Sequence, residues 1–287
     1  MIKIGLTGWG DHPDLASSNT TAKDKLVDYT AHFPVVELDS TFYAIQPEQN
    51  IRKWIDETPD NFQFIVKAYQ EITGHKRGES IYASKKEMYQ LFIQSIRPLK
   101  EAGKLAMILV QFPPWFDCTR EHVEQIRYIR AQLEDFDVAI EFRHQSWYSL
   151  QYKDRTLQFL RSLHFIHVVC DEPQAGDGSV PLVPIATRDD CVLFRLHGRN
   201  VHGWRNTFGD TKAWRTVRYL YDYREEELAQ FEQLTKSLAS QANSVFVIFN
   251  NNSGKHAAKN AKQFQQKLHI TYENLASQQL NMFEEEW

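Results

Sequence analysis

The sequence lacks the long hydrophobic segments and the leader pattern of membrane or exported proteins. Its strongest apolar runs, Leu105–Val110 and Val245–Phe249, are far shorter than the roughly 20 residues that a membrane-spanning helix needs. The first residues show no charged region followed by an apolar stretch and a small-residue cleavage site. We therefore expect no membrane association and a cytoplasmic location.

Cysteine is scarce, and neither sign of charge dominates. The three cysteines, Cys118, Cys170 and Cys191, have no metal-like spacing, so we expect free thiols, with Cys170 and Cys191 in the core. The formal net charge of −4 gives no general attraction to nucleic acids or anionic membranes. A small net charge does not exclude a local basic patch.

A glycine-rich phosphate loop is also missing. Gly8 and Gly10 follow the first apolar run but lack the remaining glycine of the dinucleotide-binding fingerprint. This absence speaks against an open, doubly wound sheet that binds a dinucleotide, which is the alternative architecture for a chain of this type.

Eight short apolar or β-branched runs alternate with longer helical patterns. Strands that alternate with helices favour a parallel sheet, and eight of them favour closure into a (β/α)8 TIM barrel. We predict a barrel over residues 1–270, with long loops after strands six and seven, and a tail over 271–287. The predicted strands are Ile2–Thr7, Val35–Phe42, Gln63–Ala68, Ala106–Phe112, Val138–Phe142, Ile166–Cys170, Val192–Leu196 and Val245–Asn250. The predicted helices are Ala22–His32, Pro47–Glu57, Lys85–Ala102, Arg120–Glu134, Lys153–Leu163, Glu225–Ala239 and Lys255–Leu268.

Polar side chains gather near the ends of these strands. Barrel strands are buried on both faces, so a charge within them is costly unless it is paired or opened to solvent. Alternation along a strand places Glu141 with Arg143, and Arg195 with His197, on one face, which we expect to point into the barrel mouth where barrel enzymes build their sites. The full set is Glu37, Asp39, Thr41, Lys67, Gln111, Glu141, Arg143, Asp171, Arg195, His197, Asn250 and Asn251.

Among these residues, the candidates for catalysis are Glu141, Arg143, Lys67, Arg195 and His197. Glu141 could act as a general acid or base if burial raises its pKa. Lys67, Arg143 and Arg195 could hold a carboxylate or phosphate, since arginine offers a fork of donors. The alternative is that these charges only neutralise one another as buried ion pairs.

The cofactor is unknown from the sequence. Glu37, Asp171 and His197 could coordinate a divalent metal. We do not favour a metal, because no H-E-x-x-H motif and no close ligand pair is present.

Aromatic residues lie beside the predicted ring. Trp9, Trp115, Trp147 and Trp204 follow strands or lie in loops, where they could stack on a sugar or base or simply pack. We include Trp9 and Tyr43 among the candidate substrate-binding residues. The loop 198–224 is rich in arginine and aromatics, which keeps nucleic acid open as a partner.

In these polar segments the chain resembles the DUF72, or YecE-like, family of uncharacterised TIM-barrel proteins. The resemblance covers nearly the whole chain and implies a TIM barrel without implying a reaction. Asp39 and Gly74 depart from the family pattern. The matching segments are Val36–Tyr43, Phe64–Ala68, Ile72–His75, Gln111–Pro114, Glu141–Trp147, Arg195–Arg199 and Phe249–Asn251.

The C-terminal segment carries a separate pattern. Gln279, Leu280, Met282 and Phe283 resemble the bacterial sliding-clamp binding motif. An extended tail of this kind can fill preformed pockets on a partner with alternate side chains. A tail packed on the barrel is the alternative.

Three functional hypotheses follow from these patterns. The leading one is an enzyme, a hydrolase or lyase, that acts on a small polar or anionic substrate at the barrel mouth. The second is a protein that processes or binds nucleic acid and docks on the sliding clamp through its tail. The third is a non-catalytic barrel that binds a small ligand.

Overall fold

Eight parallel strands close into a barrel in sequence order, with the first strand hydrogen-bonded to the last. This computed structural model describes residues 1–16, 21, 24–204, 214 and 217–277. The closure confirms the predicted (β/α)8 barrel and excludes the open sheet. The predicted clamp-binding residues Gln279, Leu280, Met282 and Phe283 lie outside the described residues.

The strands lie close to their predicted positions because continuous apolar runs are buried on both faces. Seven of the predicted runs differ from the observed strands by about one residue at each end, which is the ordinary uncertainty of such bounds. The strands are β1 (Ile2–Thr7), β2 (Val35–Leu38), β3 (Gln63–Lys67), β4 (Leu105–Gln111), β5 (Val138–Glu141), β6 (Ile166–Asp171), β7 (Cys191–Leu196) and β8 (Ser244–Phe249).

Helices pack outside the strands and begin at local signals. Ser84 caps one helix by accepting a hydrogen bond from Glu87 N, and Thr119 caps another by accepting one from His122 N. No helix in the described part of the chain is long and apolar enough to cross a bilayer. The helices are α1 (Lys25–Thr30), α2 (Ser40–Tyr43), α3 (Glu48–Asp56), α4 (Lys85–Glu101), α5 (Arg120–Gln132), α6 (Lys153–Ser162), α7 (Val201–Trp204), α8 (Glu225–Ala239) and α9 (His256–Lys267).

The end of β2 corrects the sequence prediction. We expected a strand over Val35–Phe42, but β2 ends at Leu38 and the chain turns at once into α2. The Thr41 hydroxyl oxygen lies 2.7 Å from the carbonyl oxygens of Leu38 and Lys67, which holds the turn against β3. Asp39 and Thr41 therefore do not continue the inward face of Glu37, because strand alternation has already ended.

The two long loops follow β6 and β7, as predicted. Residues 172–190 contain no helix or strand and run from the carboxyl end of β6 to the amino end of β7. Both long loops therefore begin at the barrel end where the polar residues gather.

After α9, the Tyr272 hydroxyl accepts a hydrogen bond from Ile4 N at 2.7 Å, which holds the start of the segment 271–277 against β1.

Gly5 is required by the close approach of β1 and β2. A Cβ atom at Gly5 would lie 2.2 Å from the Val35 carbonyl oxygen, and backbone cannot move aside cheaply. We expect Gly5→Ala to lower the free energy of unfolding by about 1–3 kcal/mol, as overpacking in cores does. Urea denaturation measures this change. Gly10→Ala is the matched control, since a Cβ there meets nothing within 4 Å; equal midpoints for the two variants would refute the prediction.

Candidate functional site

The barrel mouth contains a buried ion-pair network centred on Glu141. One carboxylate oxygen, Oε1, accepts from Arg143 Nε at 2.5 Å, and the other, Oε2, accepts from Arg195 Nη1 at 2.5 Å. The side chains of all three residues are essentially inaccessible to solvent. The predicted inward face of β5 and β7 is therefore correct, and its charges compensate one another.

Arg195 extends the network to β2. Its Nε and Nη2 donate to the two carboxylate oxygens of Glu37 at 2.8 and 2.5 Å, which is the bidentate geometry of an arginine–carboxylate pair. Gln111 Oε1 lies 3.3 Å from Arg195 Nη1. Every nitrogen of Arg195 thus has an acceptor within the protein, so this arginine is not available to a ligand.

The electrostatics of Glu141 argue against the predicted acid–base role. Burial alone would raise the pKa of Glu141, but Arg143, Arg195 and His197 together hold it well below its usual range. The condition for that role was a raised pKa, and it is not met. Glu141 is a permanent carboxylate that neutralises two guanidinium groups.

Arg143 is surrounded in the same way. Besides Glu141, it donates through Nη1 to Glu172 Oε2 at 3.1 Å, and its Nη2 lies 3.1 Å from His197 Nε2. The Asn250 amide nitrogen lies 2.9 Å from His197 Nδ1. Burial, with Arg143 and Arg195 nearby, lowers the pKa of His197 well below its usual value, so this imidazole is neutral.

Glu172 is a buried carboxylate that the sequence prediction missed. It directly follows β6, and its Oε1 accepts a hydrogen bond from Val180 N. Burial, only partly offset by Arg143, raises the pKa of Glu172 to about 7. Glu172 is therefore the member of this network whose charge changes near neutral pH.

Lys67 lies at the edge of the network, beside the turn after β2. Its Nζ forms an ion pair with Asp39 Oδ1 at 3.0 Å and lies 5.0 Å from the Phe42 ring centroid. Burial would lower the pKa of Lys67, but Asp39 and Glu37 raise it overall, so the amine stays charged. Tyr43, predicted to bind substrate, is 58% exposed and packs edge-on against Phe42.

Three other predicted binding residues support the loops or pack instead. Asp171 accepts two hydrogen bonds from Arg199 and one from the Tyr223 hydroxyl, which anchors the segments that follow β7. Asn251 donates to the Tyr221 carbonyl. Trp9 packs edge-on against Trp54, with the ring centroids 5.3 Å apart.

The structure does not assemble the suggested metal ligands. Glu37 is paired with Arg195 and Asp171 with Arg199, so neither carboxylate is free to join His197. Within the described ranges, one group of possible ligand atoms lies within 4.8 Å of one another: those of Glu141, Cys170 and His197. This set fits a cation poorly, because two guanidinium groups already bind Glu141 and burial raises the pKa of the Cys170 thiol well above its usual value.

An open cleft of about 610 Å³ lies above this network, at the carboxyl ends of β3 to β7. Two predicted site residues, Gln111 and Arg143, form part of its wall, and so do Trp115 and Trp204 from the predicted aromatic set. Trp147 instead is buried in the core, where its indole N–H donates to the Phe116 carbonyl. The lining residues that the structure describes are His75, Gln111, Pro114, Trp115, Arg143, Ala175, Asp177, Gly178, Trp204, Trp214 and Arg218.

Arg218 is the cation in this cleft that lacks a carboxylate partner among the described residues. Its guanidinium carbon lies 4.8, 4.6 and 5.2 Å from the ring centroids of Trp204, Trp214 and Tyr219. Its Nε is buried and has no hydrogen-bond acceptor within the part of the chain that the structure describes. Burial lowers the pKa of Arg218, but a guanidinium stays charged in proteins. The side chain therefore carries a positive charge for which the described residues supply no carboxylate.

Positive charge dominates the electrostatics of the cleft. Burial and then Lys67, Arg143 and Arg218 lower the pKa of His75 to about 3, so its imidazole is neutral. Burial would raise the pKa of Tyr219, yet Arg218 and the other cations lower it overall. The same group of cations therefore lowers the pKa values of both His75 and Tyr219. Such a concentration of positive charge favours an anionic ligand.

The position of His75 comes from a tight turn after β3. Gly74 has φ of +75°, a left-handed conformation that favours glycine, and His75 N donates to the Gln70 carbonyl at 3.0 Å. The Thr73 hydroxyl lies 2.8 Å from His75 Nδ1 and donates to the Gln70 carbonyl. The contact with Thr73 therefore holds the His75 ring in position through Nδ1.

A second open cleft, of about 910 Å³, lies at the opposite end of the barrel. Its principal cation, Arg188, is already paired with Asp137 and Asp190. Active sites of TIM barrels lie at the carboxyl ends of the strands, whereas this cleft lies at the amino ends of β5 to β7. We therefore place the candidate site in the cleft that contains Arg218.

The residues missed by sequence reasoning lie in the connections after β3 and β7. His75, Trp214 and Arg218 follow β3 or β7 at a distance and have no strand or helix periodicity to position them. The available signal was composition, since the loop 198–224 is rich in arginine and aromatics. That signal indicated a polar aromatic surface but not which arginine would lack a partner.

The buried network yields a prediction for stability. Arg195→Met leaves the Glu37 and Glu141 carboxylates buried without this cation, so we expect it to lower the free energy of unfolding by about 3–5 kcal/mol. Guanidinium chloride denaturation measures the loss. The control is Arg52→Met, which removes an exposed pair with Glu48 and should cost less than about 1 kcal/mol. Similar losses in both variants would contradict the role given to Arg195.

A second prediction concerns the pH dependence of stability. The pKa of Glu172 is about 7 in the folded chain against 4.5 for an ordinary glutamate, so folding favours the protonated form. That stabilisation is fully present below pH 4.5 and is lost as the pH rises through about 7. Relative to Glu172→Gln, which cannot titrate, wild-type protein should lose up to about 1.4 kcal/mol of stability per pH unit in this window. Urea denaturation of both proteins across the window measures this difference, and parallel pH profiles would refute it.

Comparison with known proteins identifies relatives over the full length of the chain. The model of the family "Protein of unknown function DUF72" matches residues 3–284. The UPF0759 protein YunF of Bacillus subtilis is 51% identical over 283 residues, which cover 99% of this chain and 100% of that protein. The UPF0759 protein YecE of Escherichia coli K12 is 26% identical over 164 residues, 57% of this chain and 56% of that protein.

Solved structures agree with the sequence relatives. A DUF72 family protein from Enterococcus faecalis superposes with a TM-score of 0.90 at 39% identity, covering 98% of this chain and all of that one. A DUF72 family protein from Thermotoga maritima superposes with a TM-score of 0.79 at 31% identity, covering 94% of this chain and all of that one. The chain therefore belongs to the DUF72 family of TIM-barrel proteins.

Proposed function

We propose that this protein is an enzyme, a hydrolase or lyase, that acts on a small anionic substrate in the cleft at the carboxyl ends of the strands. The observation that carries the proposal is Arg218, a cation without a carboxylate partner in the described part of the cleft whose Nε is buried without an acceptor. A buried donor without a partner costs about 1–3 kcal/mol, which a bound anion would recover.

The rest of the cleft supports anion binding. Arg143 and Gln111 line it, and the lowered pKa values of His75 and Tyr219 indicate excess positive charge. Arg143 and Arg195 are saturated by buried carboxylates, so they contribute through their field rather than as free donors. The direct contact to the anionic group is therefore assigned to Arg218.

His75 is the proposed proton acceptor. It lines the cleft as a neutral imidazole whose Nδ1 contacts the Thr73 hydroxyl, and we assign Nε2 as the nitrogen that accepts the proton. With a pKa of about 3 it is a weak base in the empty cleft. A bound anion offsets the charge of Arg218 and Arg143, which raises the pKa of His75 toward its usual value. Substrate binding thus strengthens the base that acts on it.

Removal of Arg218 tests anion binding. Arg218→Met should weaken the binding of the preferred anion among inorganic phosphate, sulfate and acetate by about 10- to 100-fold, which corresponds to the loss of a charged hydrogen bond. Isothermal titration calorimetry measures the affinity, and thermal denaturation with and without each anion provides a second readout. Arg218→Lys, which keeps the charge but not the planar fork, should fall between wild type and Arg218→Met.

The matched control is Arg155→Met, which removes an exposed arginine of α6 outside the cleft. Unchanged anion affinity in Arg218→Met, or equal losses in both variants, would refute the assignment of Arg218. Catalysis is tested separately by proton NMR of organic esters of the preferred anion incubated with the protein. Binding without conversion would indicate a non-catalytic ligand-binding barrel.

A further inference from the structure

The cleft is much larger than a simple inorganic anion. Its volume of about 610 Å³ lies in the range of about 300–1,000 Å³ that organic ligands occupy. Arg218 can bind one anionic group, and the remaining volume must then be filled by the rest of the ligand. The residues around that volume therefore specify what the anionic group is attached to.

Aromatic side chains form much of the wall. Trp115, Trp204 and Trp214 line the cleft together with the His75 ring. The indole N–H groups of Trp204 and Trp214 donate to the Gly178 and Gly203 carbonyls at 3.1 and 2.8 Å. Because these hydrogen bonds are already formed within the protein, neither indole N–H is free to bind a ligand.

Trp115 has the surface that is most open for stacking. It is 53% exposed, although large apolar side chains are usually buried, and its ring centroid lies 5.9 Å from that of His75. The guanidinium carbon of Arg77 lies 5.7 Å from the same centroid. An exposed tryptophan at the edge of a concave site, beside two other planar groups, is suited to contact a ligand ring.

Arg218 limits how the anionic group can approach. Three aromatic rings surround its guanidinium group, since the guanidinium carbon lies 4.8, 4.6 and 5.2 Å from the ring centroids of Trp204, Trp214 and Tyr219. Its N–H groups point outward in the guanidinium plane, and an anion must bind along that edge. An anionic group held there keeps its ligand beside the indole surfaces that line the same cleft.

We propose that the ligand of this cleft is an anion carried on a planar ring, with Arg218 binding the anionic group and Trp115 stacking on the ring. This inference rests on the proposed function, because it needs the anion site at Arg218. It adds the chemical class of the substrate, an aromatic or heteroaromatic phosphate or carboxylate.

Two matched pairs of ligands test the ring. Phenyl phosphate should bind about tenfold more tightly than cyclohexyl phosphate, and benzoate more tightly than cyclohexanecarboxylate, because stacking favours a flat ring of equal charge and similar size. Quenching of tryptophan fluorescence and calorimetry measure the affinities. Inorganic phosphate and acetate report the anion site alone, and glucose 6-phosphate presents a sugar in place of the planar ring.

Trp115→Leu separates stacking from anion binding. Since Trp115 is half exposed, the variant should fold, and it should lose the preference for phenyl over cyclohexyl ligands while retaining the affinity for inorganic phosphate or acetate within about twofold. Tyr128→Leu, which removes an exposed aromatic ring of α5 outside the cleft, should keep the preference.

Equal affinities within both pairs, while inorganic phosphate or acetate still binds through Arg218, would overturn the planar ring and leave the proposed function intact. Tighter binding of glucose 6-phosphate than of phenyl phosphate would overturn it in favour of a sugar. If neither the inorganic anions nor the ring-bearing anions bind in an Arg218-dependent way, the proposed function fails and the inference fails with it.

Discussion

The structure depends on one carboxylate shared by two guanidinium groups inside the barrel. Glu141 on β5 cannot be buried alone, because an unpaired ion in this environment would cost several kcal/mol. Arg143 and Arg195 together carry one positive charge more than Glu141 can neutralise, and Glu37 neutralises it by pairing with Arg195. The network ties β2, β5 and β7 together, so the geometry of the mouth is fixed by charge balance as well as by apolar packing.

This charge balance also decides where a ligand can bind. The arginines that strand alternation places at the mouth are already paired with carboxylates inside the barrel. A free donor must therefore come from outside the barrel, and Arg218 in the segment after β7 supplies it. The network still affects the cleft, since Arg143 contributes, after burial and Lys67, to the lowered pKa of His75.

The sequence predicted the barrel well because its information is local and repeated. Eight buried apolar runs and the helices between them are each recognisable within about ten residues. The predicted end of β2 was wrong because the Thr41 hydroxyl contacts the Lys67 carbonyl on β3. Periodicity along one segment does not describe such a contact between two segments. Tertiary contacts of this kind override a pattern that otherwise continues as a strand.

The candidate site was predicted in position but not in function, for a similar reason. Alternation shows that Glu141 and Arg143 point inward, yet it does not show which charges reach one another. Pairing depends on side-chain length and on residues from other strands, so the acid–base role of Glu141 could not be judged before its two partners were known. Arg218 lies in the connection after β7, where no repeat predicts its position or its lack of a carboxylate partner among the described residues.

Arg143 connects the buried network to the cleft through Glu172. Its Nη1 donates to that carboxyl group, and the pKa of Glu172 of about 7 means that this neighbour is partly ionised at neutral pH. An ionised Glu172 weakens the positive field that an anionic ligand experiences, while a bound anion raises the pKa of Glu172 further. Proton binding at Glu172 and the proposed anion binding in the cleft therefore favour one another. The reason is that an ionised Glu172 and a bound anion compete for the same positive charge on Arg143.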